Sequence, residues 1–179
     1  KTQNLLTIVQ EELSKQTPPE RIAYLSFTKK AALEASERAM ESFHLNKSQF
    51  IYFRTLHSLC FRQMGVSSSE VFDGKKILEF GDWIGTEVTG KINFEEGSTF
   101  GTQPGDRALF MVNLARLRQI STRDLYLEDA DGLPWNFVDR IDRGLREFKR
   151  HHGLVDYTDM LERFVESSWK PDLDVVIVD

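Results

Sequence analysis

Apolar positions follow two rhythms along the first sixty residues, one helical and one continuous. Leu5, Leu6, Val9 and Leu13 recur at helical spacing between polar residues, which predicts an amphipathic helix from Thr2 to Gln16, stopped by Thr17-Pro18-Pro19. Arg21 to Phe27 (RIAYLSF) is a short apolar run and reads as a strand. Thr28 is placed to cap the helix that follows, Lys29 to Phe43, which carries Ala32, Ala35, Ala39 and Phe43 on one face. Phe50 to Phe53 (FIYF) predicts a second buried strand, and Leu56 to Met64 a short helix. Near the other end, Leu173 to Val178 (LDVVIV) is a continuous β-branched run of the kind found in the interior of a parallel sheet. Helix, strand, helix, strand, helix in that order implies a parallel sheet with crossover helices, an α/β fold.

Between these segments the rhythm changes. Ser67-Ser68-Ser69 marks a boundary, and six of the eleven glycines fall between Gly81 and Gly105, so that stretch reads as loop-rich. Helical spacing is plausible over Lys75 to Val88 and stronger over Asp106 to Ile120 and Pro134 to Arg150. The last of these has Phe137, Ile141, Leu145 and Phe148 at helical intervals and a proline in its first turn. Tyr157 to Glu166 predicts another helix. The expected organisation is an α/β framework over residues 1–66 and 153–179, interrupted by a mainly helical insert over residues 67–152. A first residue that is Lys1, and a last that is an aspartate directly closing an apolar run, lead us to expect a framework truncated at both ends.

Composition narrows the function classes. The chain has 179 residues with 40% hydrophobic and 28% charged positions, enough for a sizeable core without disulfides or structural metal. A single cysteine, Cys60, excludes an internal disulfide and a C-x-x-C zinc site, and it fits a reducing, cytoplasmic setting. The longest apolar stretch, Ala108 to Val112, is far short of the roughly 20 residues a membrane helix needs, so no membrane partner is expected. The net charge of -5 argues against a wholly basic nucleic-acid binder, but its distribution is uneven. Residues 1–66 carry 9 Lys+Arg against 6 Asp+Glu, residues 67–152 carry 12 against 15, and residues 153–179 carry 2 against 7. An anionic partner would be met in the first third.

Open α/β sheets bind ligands at the carboxyl ends of their strands. RIAYLSF is followed by Thr28, Lys29 and Lys30; FIYF by Arg54, Thr55, His57 and Ser58; LDVVIV by Asp179. One rim would gather hydroxyls, cations and a carboxylate. An apolar strand ending in aspartate is what a magnesium-dependent nucleotide site uses, because a hard cation needs a rigidly held anionic oxygen beside the phosphates. The usual partner is a glycine loop ending in Lys-Ser/Thr at a helix start. The chain opens with Lys1-Thr2 and a helix, without those glycines. Gly85 to Lys91 fits G-x-x-x-x-G-K, but Ile92 follows where a magnesium-ligating hydroxyl belongs, and no apolar strand leads in. It is set aside as a phosphate loop.

Taken together these segments are more specific than any one of them. IAYLSFTKKAALEASERA (Ile22 to Ala39) resembles the segment of UvrD/Rep-type superfamily 1 DNA helicases in which an apolar strand leads into T-F-T-N-K-A-A. RTLHSLCFRQM (Arg54 to Met64) resembles that family's T-x-H-S-x-C-x-R motif, GLVDYTDML (Gly153 to Leu161) its D-F-D-D-L-L element, and LDVVIVD the strand entering D-E-x-Q. Lys1-Thr2 matches the end of its G-K-T loop. Lys29 stands where the family has Asn, Ser26 where it has Thr, and Tyr157 where it has Phe.

The resemblance implies a P-loop NTPase fold, a RecA-like parallel sheet flanked by helices, that uses ATP and magnesium and binds single-stranded or partial duplex DNA. It implies that Lys1 and Thr2 bind ATP, that Thr2 and Asp179 hold magnesium, and that Asp179 is the catalytic carboxylate of this piece. Phe27 would stack on a base, while Thr28, Lys29, Thr55, His57 and Ser58 would face the DNA backbone. A second RecA-like domain, outside this chain, would complete the ATP cleft, and the chain alone would be inactive. For Asp156 and Tyr157 capping and packing compete with DNA contact; His151-His152 reads as a solvated helix end, and Trp83, Trp135 and Trp169 as packing. The rival reading is a non-catalytic module of RecA-like fold that binds single-stranded nucleic acid. A third is an unrelated α/β enzyme such as a small-molecule kinase, for which the Phe27-Thr28 and His57-Ser58 elements would have no purpose.

Overall fold

The computed structural model describes residues 2–93, 98–99 and 101–179, with side chains left aside at residues 2, 3, 92, 93, 98 and 99. Lys1 lies outside the described residues, and of Thr2 only the backbone is described. The chain divides into two compact units, Lys1–Gly65 with Phe164–Asp179, and Val66–Arg163.

The first unit is built on three parallel strands, β1 (Ile22–Ser26), β2 (Phe53–Thr55) and β5 (Val175–Val178), in the order β2-β1-β5. Tyr24 is in register with Phe53 and Ile177, and Ser26 with Thr55. Every residue of β1 is buried because each of its faces has a cover. Ile22 and Tyr24 pack with Leu6, Val9 and Leu13 of α1 (Thr2–Ser14) and with Ala35 and Ala39 of α2 (Lys29–Phe43). Ala23 and Leu25 face Leu59 of α3 (Leu56–Gln63), together with Phe164, Trp169 and Leu173. Removing the leucine, isoleucine and valine side chains among these from water is worth roughly 1.5–3 kcal/mol each. The result is a sheet with helices on both faces, the α/β arrangement expected from the pattern.

Two strands depart from that expectation. FIYF does not form β2: Phe50 and Ile51-Tyr52 make a turn, closed by the Phe53 N–H donating to the Phe50 carbonyl, and the strand is Phe53–Thr55. Phe50 is buried all the same, because its ring packs edge-on against Phe53 with centroids 4.7 Å apart. LDVVIV, expected inside the sheet, forms a flank of the described sheet. Val175 and Ile177 pack with the α1–α2 face, whereas Val176 and Val178 are exposed.

The second unit holds α4 (Gly74–Ile84), a short antiparallel pair β3 (Ile92–Asn93) and β4 (Ser98–Thr99), then α5 (Pro104–Leu117), α6 (Thr122–Glu128) and α7 (Trp135–His152). Most of α8 (Tyr157–Glu166) follows. Phe72, Ile77, Phe80, Val112, Val138, Ile141, Leu145 and Phe148 share one core. The helix α6 was not anticipated: it is short, and Leu125 is its one fully buried side chain. Gly85 ends α4 in the left-handed region (φ 66°), and residues 86–91 run irregularly into β3. The G-x-x-x-x-G-K match therefore follows a helix and leads into a strand, the reverse of a phosphate loop.

Candidate functional site

Parallel pairing brings the carboxyl ends of β1, β2 and β5 to one edge of the sheet. The Asp179 N–H donates to the Leu25 carbonyl at 2.9 Å, so the chain's last residue continues the β1 ladder beside Ser26. Of the expected rim residues, the structure thus gathers Phe27, Thr28, Lys29, Thr55, His57, Ser58 and Asp179 at or next to this edge. Lys1 and the Thr2 side chain lie outside the described residues.

The turn after β1 is locked from within. Buried Ser26 donates its hydroxyl to the Thr28 carbonyl at 2.9 Å and accepts from the Thr28 N–H at 3.0 Å. Thr28 in turn caps α2, its Oγ1 accepting from the Ala31 N–H at 3.2 Å. Phe27, between these two anchored residues, is 60% exposed, so it is no core phenylalanine. Lys29 is exposed in the first turn of α2.

Thr55 repeats the arrangement one strand over. Its Oγ1 accepts from the Ser58 N–H at 3.2 Å and caps α3. Neither threonine's hydroxyl proton has an acceptor among the described residues, and a threonine hydroxyl can accept and donate at once. His57 and Ser58 are half-buried in the first turn of α3. Burial pushes the His57 imidazole below its ordinary pKa, which keeps it neutral at neutral pH. Both α2 and α3 therefore begin at this edge and turn the positive ends of their dipoles toward it.

Asp179 has a dedicated partner that the residue pattern did not reveal. The Tyr24 hydroxyl, on the neighbouring strand, donates to Asp179 Oδ2 at 2.9 Å. Burial, and then the bond to Asp179, push the Tyr24 phenol well above its ordinary range, so it remains a donor. The sole sequence signal is a tyrosine in an otherwise apolar strand. Asp179 is a carboxylate of the kind a hard cation accepts. No cluster of three or more His, Cys, Asp or Glu suited to a metal occurs among the described residues. Magnesium bound mainly through substrate phosphates needs only one or two protein carboxylates, so the donor set fits that ion.

The second unit uses its charges differently. Asp156 and Asp159 cap each other's backbone N–H groups at the start of α8, at 2.7 and 2.8 Å. Lys149 donates to both carboxylates and Arg116 pairs with Asp156, Asp159 and Glu162. Burial alone would raise the Asp156 carboxyl, but Lys149 and Arg116 overcome it and hold the group below the usual carboxylate range. Asp156, for which capping and packing compete with DNA contact, caps α8 and is also ion-paired to Lys149 and Arg116. His151 and His152 are exposed at the end of α7.

An open parallel α/β unit whose strand ends carry hydroxyls, a lysine and an aspartate has the layout of a ligand-binding α/β domain. The family model described as UvrD/REP helicase N-terminal domain matches residues 1–175, and the chain belongs to that family. It is also similar to a protein of Bacillus subtilis (strain 168) whose name reads "Putative ATP-dependent DNA helicase YjcD", at 28% identity over 163 residues. That match covers 87% of this chain and 20% of the relative, so the chain spans about a fifth of that protein's length. No solved structure matches the chain significantly. No described helix is long and apolar enough to cross a membrane.

Proposed function

We propose that this chain is part of the first RecA-like motor domain of an ATP-dependent DNA helicase, with residues 67–152 as its inserted helical subdomain, acting in the cytoplasm. What supports the reading is the shared edge: three parallel strands end together, two capped helices start there, and an exposed phenylalanine stands on a locked turn.

Single-stranded DNA lies along that edge. Phe27 offers its ring to a base, a contact worth about 1–3 kcal/mol. Thr28 and Thr55 each give a free hydroxyl proton to a phosphate oxygen while their oxygens hold the helix caps. Lys29 adds a positive charge, and Ser58 and neutral His57 add polar contacts that position the strand without reading its sequence. The DNA is single-stranded, or the single-stranded arm of a partial duplex.

In this reading Lys1 would meet the terminal phosphates of ATP, and Thr2 with Asp179 would hold magnesium. Asp179, held in orientation by Tyr24, accepts the magnesium ion or its waters. ATP would bind between this domain and a second RecA-like domain, closure of that cleft would move the strand, and with magnesium bound the nucleotide would supply the phosphoryl group transferred to water. The chain by itself turns over no ATP above background, since it holds one α/β unit and the ATP cleft closes between two. Turnover above background that Lys1→Ala abolishes contradicts this.

The test of the DNA reading is a titration of labelled single-stranded oligonucleotide against the wild-type chain and Phe27→Ala. Weaker binding by the variant is expected; equal binding by both removes DNA from this strand-end edge, the crest of the sheet.

A further inference from the structure

The helical unit holds a cleft that none of the assigned roles uses. It has a volume of about 830 Å3 and is walled by the end of α5, the start of α6, one side of α7 and part of α8. Four carboxylates line it, and each is spent inside the unit: Asp139 on Arg143, Asp142 on Arg146, Asp159 on Lys149 and Arg116, and Glu162 on Arg116. Three arginines of the same lining are not. Arg123 on α6, Arg150 on α7 and Arg163 on α8 are exposed, and none has an ion pair or side-chain hydrogen bond among the described residues. Arg123 is nonetheless held in place. Its guanidinium lies over the Trp135 ring, 4.5 Å from the centroid, and that ring leans on Tyr126 with centroids 5.1 Å apart. Stacking uses the face of a guanidinium and leaves the N–H donors in its plane free. Partly buried Ile120 and Trp135 add apolar surface to the lining.

With every carboxylate paired and three cations left over, the field of the cleft favours an anion. The kind of anion follows from the rest of the lining. A nucleic-acid strand carries a charge on every nucleotide, so along this wall some of its phosphates would fall beside Asp139, Asp142, Asp159 and Glu162, and its backbone would leave Ile120 and Trp135 uncovered. A small inorganic anion would fill little of the volume. A peptide whose few carboxylates are separated by apolar side chains meets both the arginines and the apolar surface. Arginine forks bind carboxylates in two-pronged fashion, and Arg and Trp are the residue types that dominate binding at protein interfaces.

We propose that this cleft docks an acidic segment of a partner protein, with carboxylates on Arg123, Arg150 and Arg163 and an apolar side chain against Ile120 and Trp135. All of these residues belong to the helical unit, so the site stands whether or not the strand-end edge of the sheet unit binds DNA.

The experiment is an anisotropy titration of a labelled peptide of repeated Leu-Leu-Glu-Glu with wild type, Arg123→Gln/Arg150→Gln/Arg163→Gln and Lys47→Gln/Lys75→Gln/Lys170→Gln. The lysine variant removes the same charge from exposed positions that do not line the cleft. The arginine variant is expected to bind about tenfold more weakly than wild type, as for loss of a charge-assisted hydrogen bond, and the lysine variant as well as wild type. All six positions are exposed, so thermal midpoints close to that of wild type are expected of both variants. Glutamine in place of glutamate in the peptide should cause a similar loss. Ile120→Ser should weaken binding without changing its salt dependence, and Phe27→Ala should leave it as in wild type. Equal loss in the two triple variants, equal binding of the glutamine and glutamate peptides, full affinity in Ile120→Ser, or no binding by wild type at millimolar peptide overturns the proposal. Labelled oligothymidylate supplies another arm: if the arginine variant loses it while keeping the peptide, the arginines serve phosphate and the peptide assignment falls. A wild-type dimer in sedimentation that the arginine variant loses and the peptide does not dissociate assigns the cleft to a second copy of this chain, and overturns the partner reading.

Discussion

The charged network around Lys149 in the second unit and the strand-end groups of the sheet unit use their polar atoms differently. At the start of α8, charges close on one another: Lys149 pairs with Asp156 and Asp159, and Arg116 with Asp156, Asp159 and Glu162. In the sheet unit, polar side chains at the strand ends make local bonds that shape the backbone and leave donors over. Ser26, Thr28 and Thr55 fasten turns and caps, Phe27 is left in solvent, and Arg54 has an orphaned nitrogen. A group whose partners are internal holds the fold, whereas a group left over at a strand edge is available to something else. The difference distinguishes a structural network from a binding edge without reference to function.

The contrast is most sharply tested by removing one cation from each unit. Lys149→Met removes the buried cation and leaves the partly buried Asp156 and Asp159 with Arg116 alone, and should cost about 3 kcal/mol, toward the lower end for breaking a buried pair. Arg54→Gln should change stability by no more than about 0.5 kcal/mol, or raise it. Urea unfolding of both variants measures this; equal losses erase the distinction. Acid should act on the same network. The Asp156 carboxyl is held below its unfolded value, so its stabilisation is complete above about pH 4 and is lost as pH falls through the lower, folded value. Asp156→Asn should flatten that acid limb.

Next in size is a packing test confined to the second unit. A Cβ on Gly105 would collide with the backbone carbonyl oxygen of Glu87 and approach Val88 and Thr86 side-chain atoms at 2.7 and 2.9 Å. A backbone oxygen cannot rotate away, so Gly105→Ala should cost about 1–3 kcal/mol. Oligonucleotide affinity should be unaltered at temperatures where the variant is folded. A variant as stable as wild type means that α5 shifts to admit the methyl group.

Much of this was readable from residue order, for identifiable reasons. Lys29–Phe43 and Trp135–His152 carry their apolar stripe over several turns, and Thr28 is a cap by type and position. The crest residues follow their strands directly, so a parallel sheet was enough to bring Phe27, Thr28, Thr55 and Asp179 together. What failed was whatever depends on register or distant contact. The FIYF run is apolar because Phe50 and Phe53 share a core, and apolar content cannot separate a buried turn from a strand. Val176 and Val178 are β-branched like buried neighbours, but one face of β5 is open. Tyr24 meets Asp179 only through the β1–β5 register, and Arg54 shares a cavity with Arg62 only because α3 folds back beside β2.

The two threonine caps offer a smaller test, in which stability and binding should separate. Thr28→Ala and Thr55→Ala each remove an N-cap and should cost about 1 kcal/mol. Thr28→Asn restores a cap acceptor for α2 while replacing the hydroxyl donor. If the hydroxyl proton serves a phosphate, Thr28→Asn should recover stability without recovering oligonucleotide affinity. Recovery of both makes Thr28 a cap and nothing more.

The smallest effect expected is that of His57, and its sign is set by burial. The imidazole is pushed below its unfolded pKa, so the folded unit favours the neutral ring. The stability this confers is fully present above about pH 6.5 and declines as pH falls through the folded value. This window lies above the acid limb due to Asp156, so the two units should lose stability over different ranges of pH. Comparing His57→Gln with wild type between neutral and mildly acidic pH isolates the contribution, and the stability difference should shift against wild type on acidification. Bound DNA should oppose this if His57 faces phosphate, because a phosphate favours the charged ring. Wild-type affinity for the oligonucleotide should then rise on acidification more than that of His57→Gln. An equal rise in both leaves His57 as a packed residue of α3.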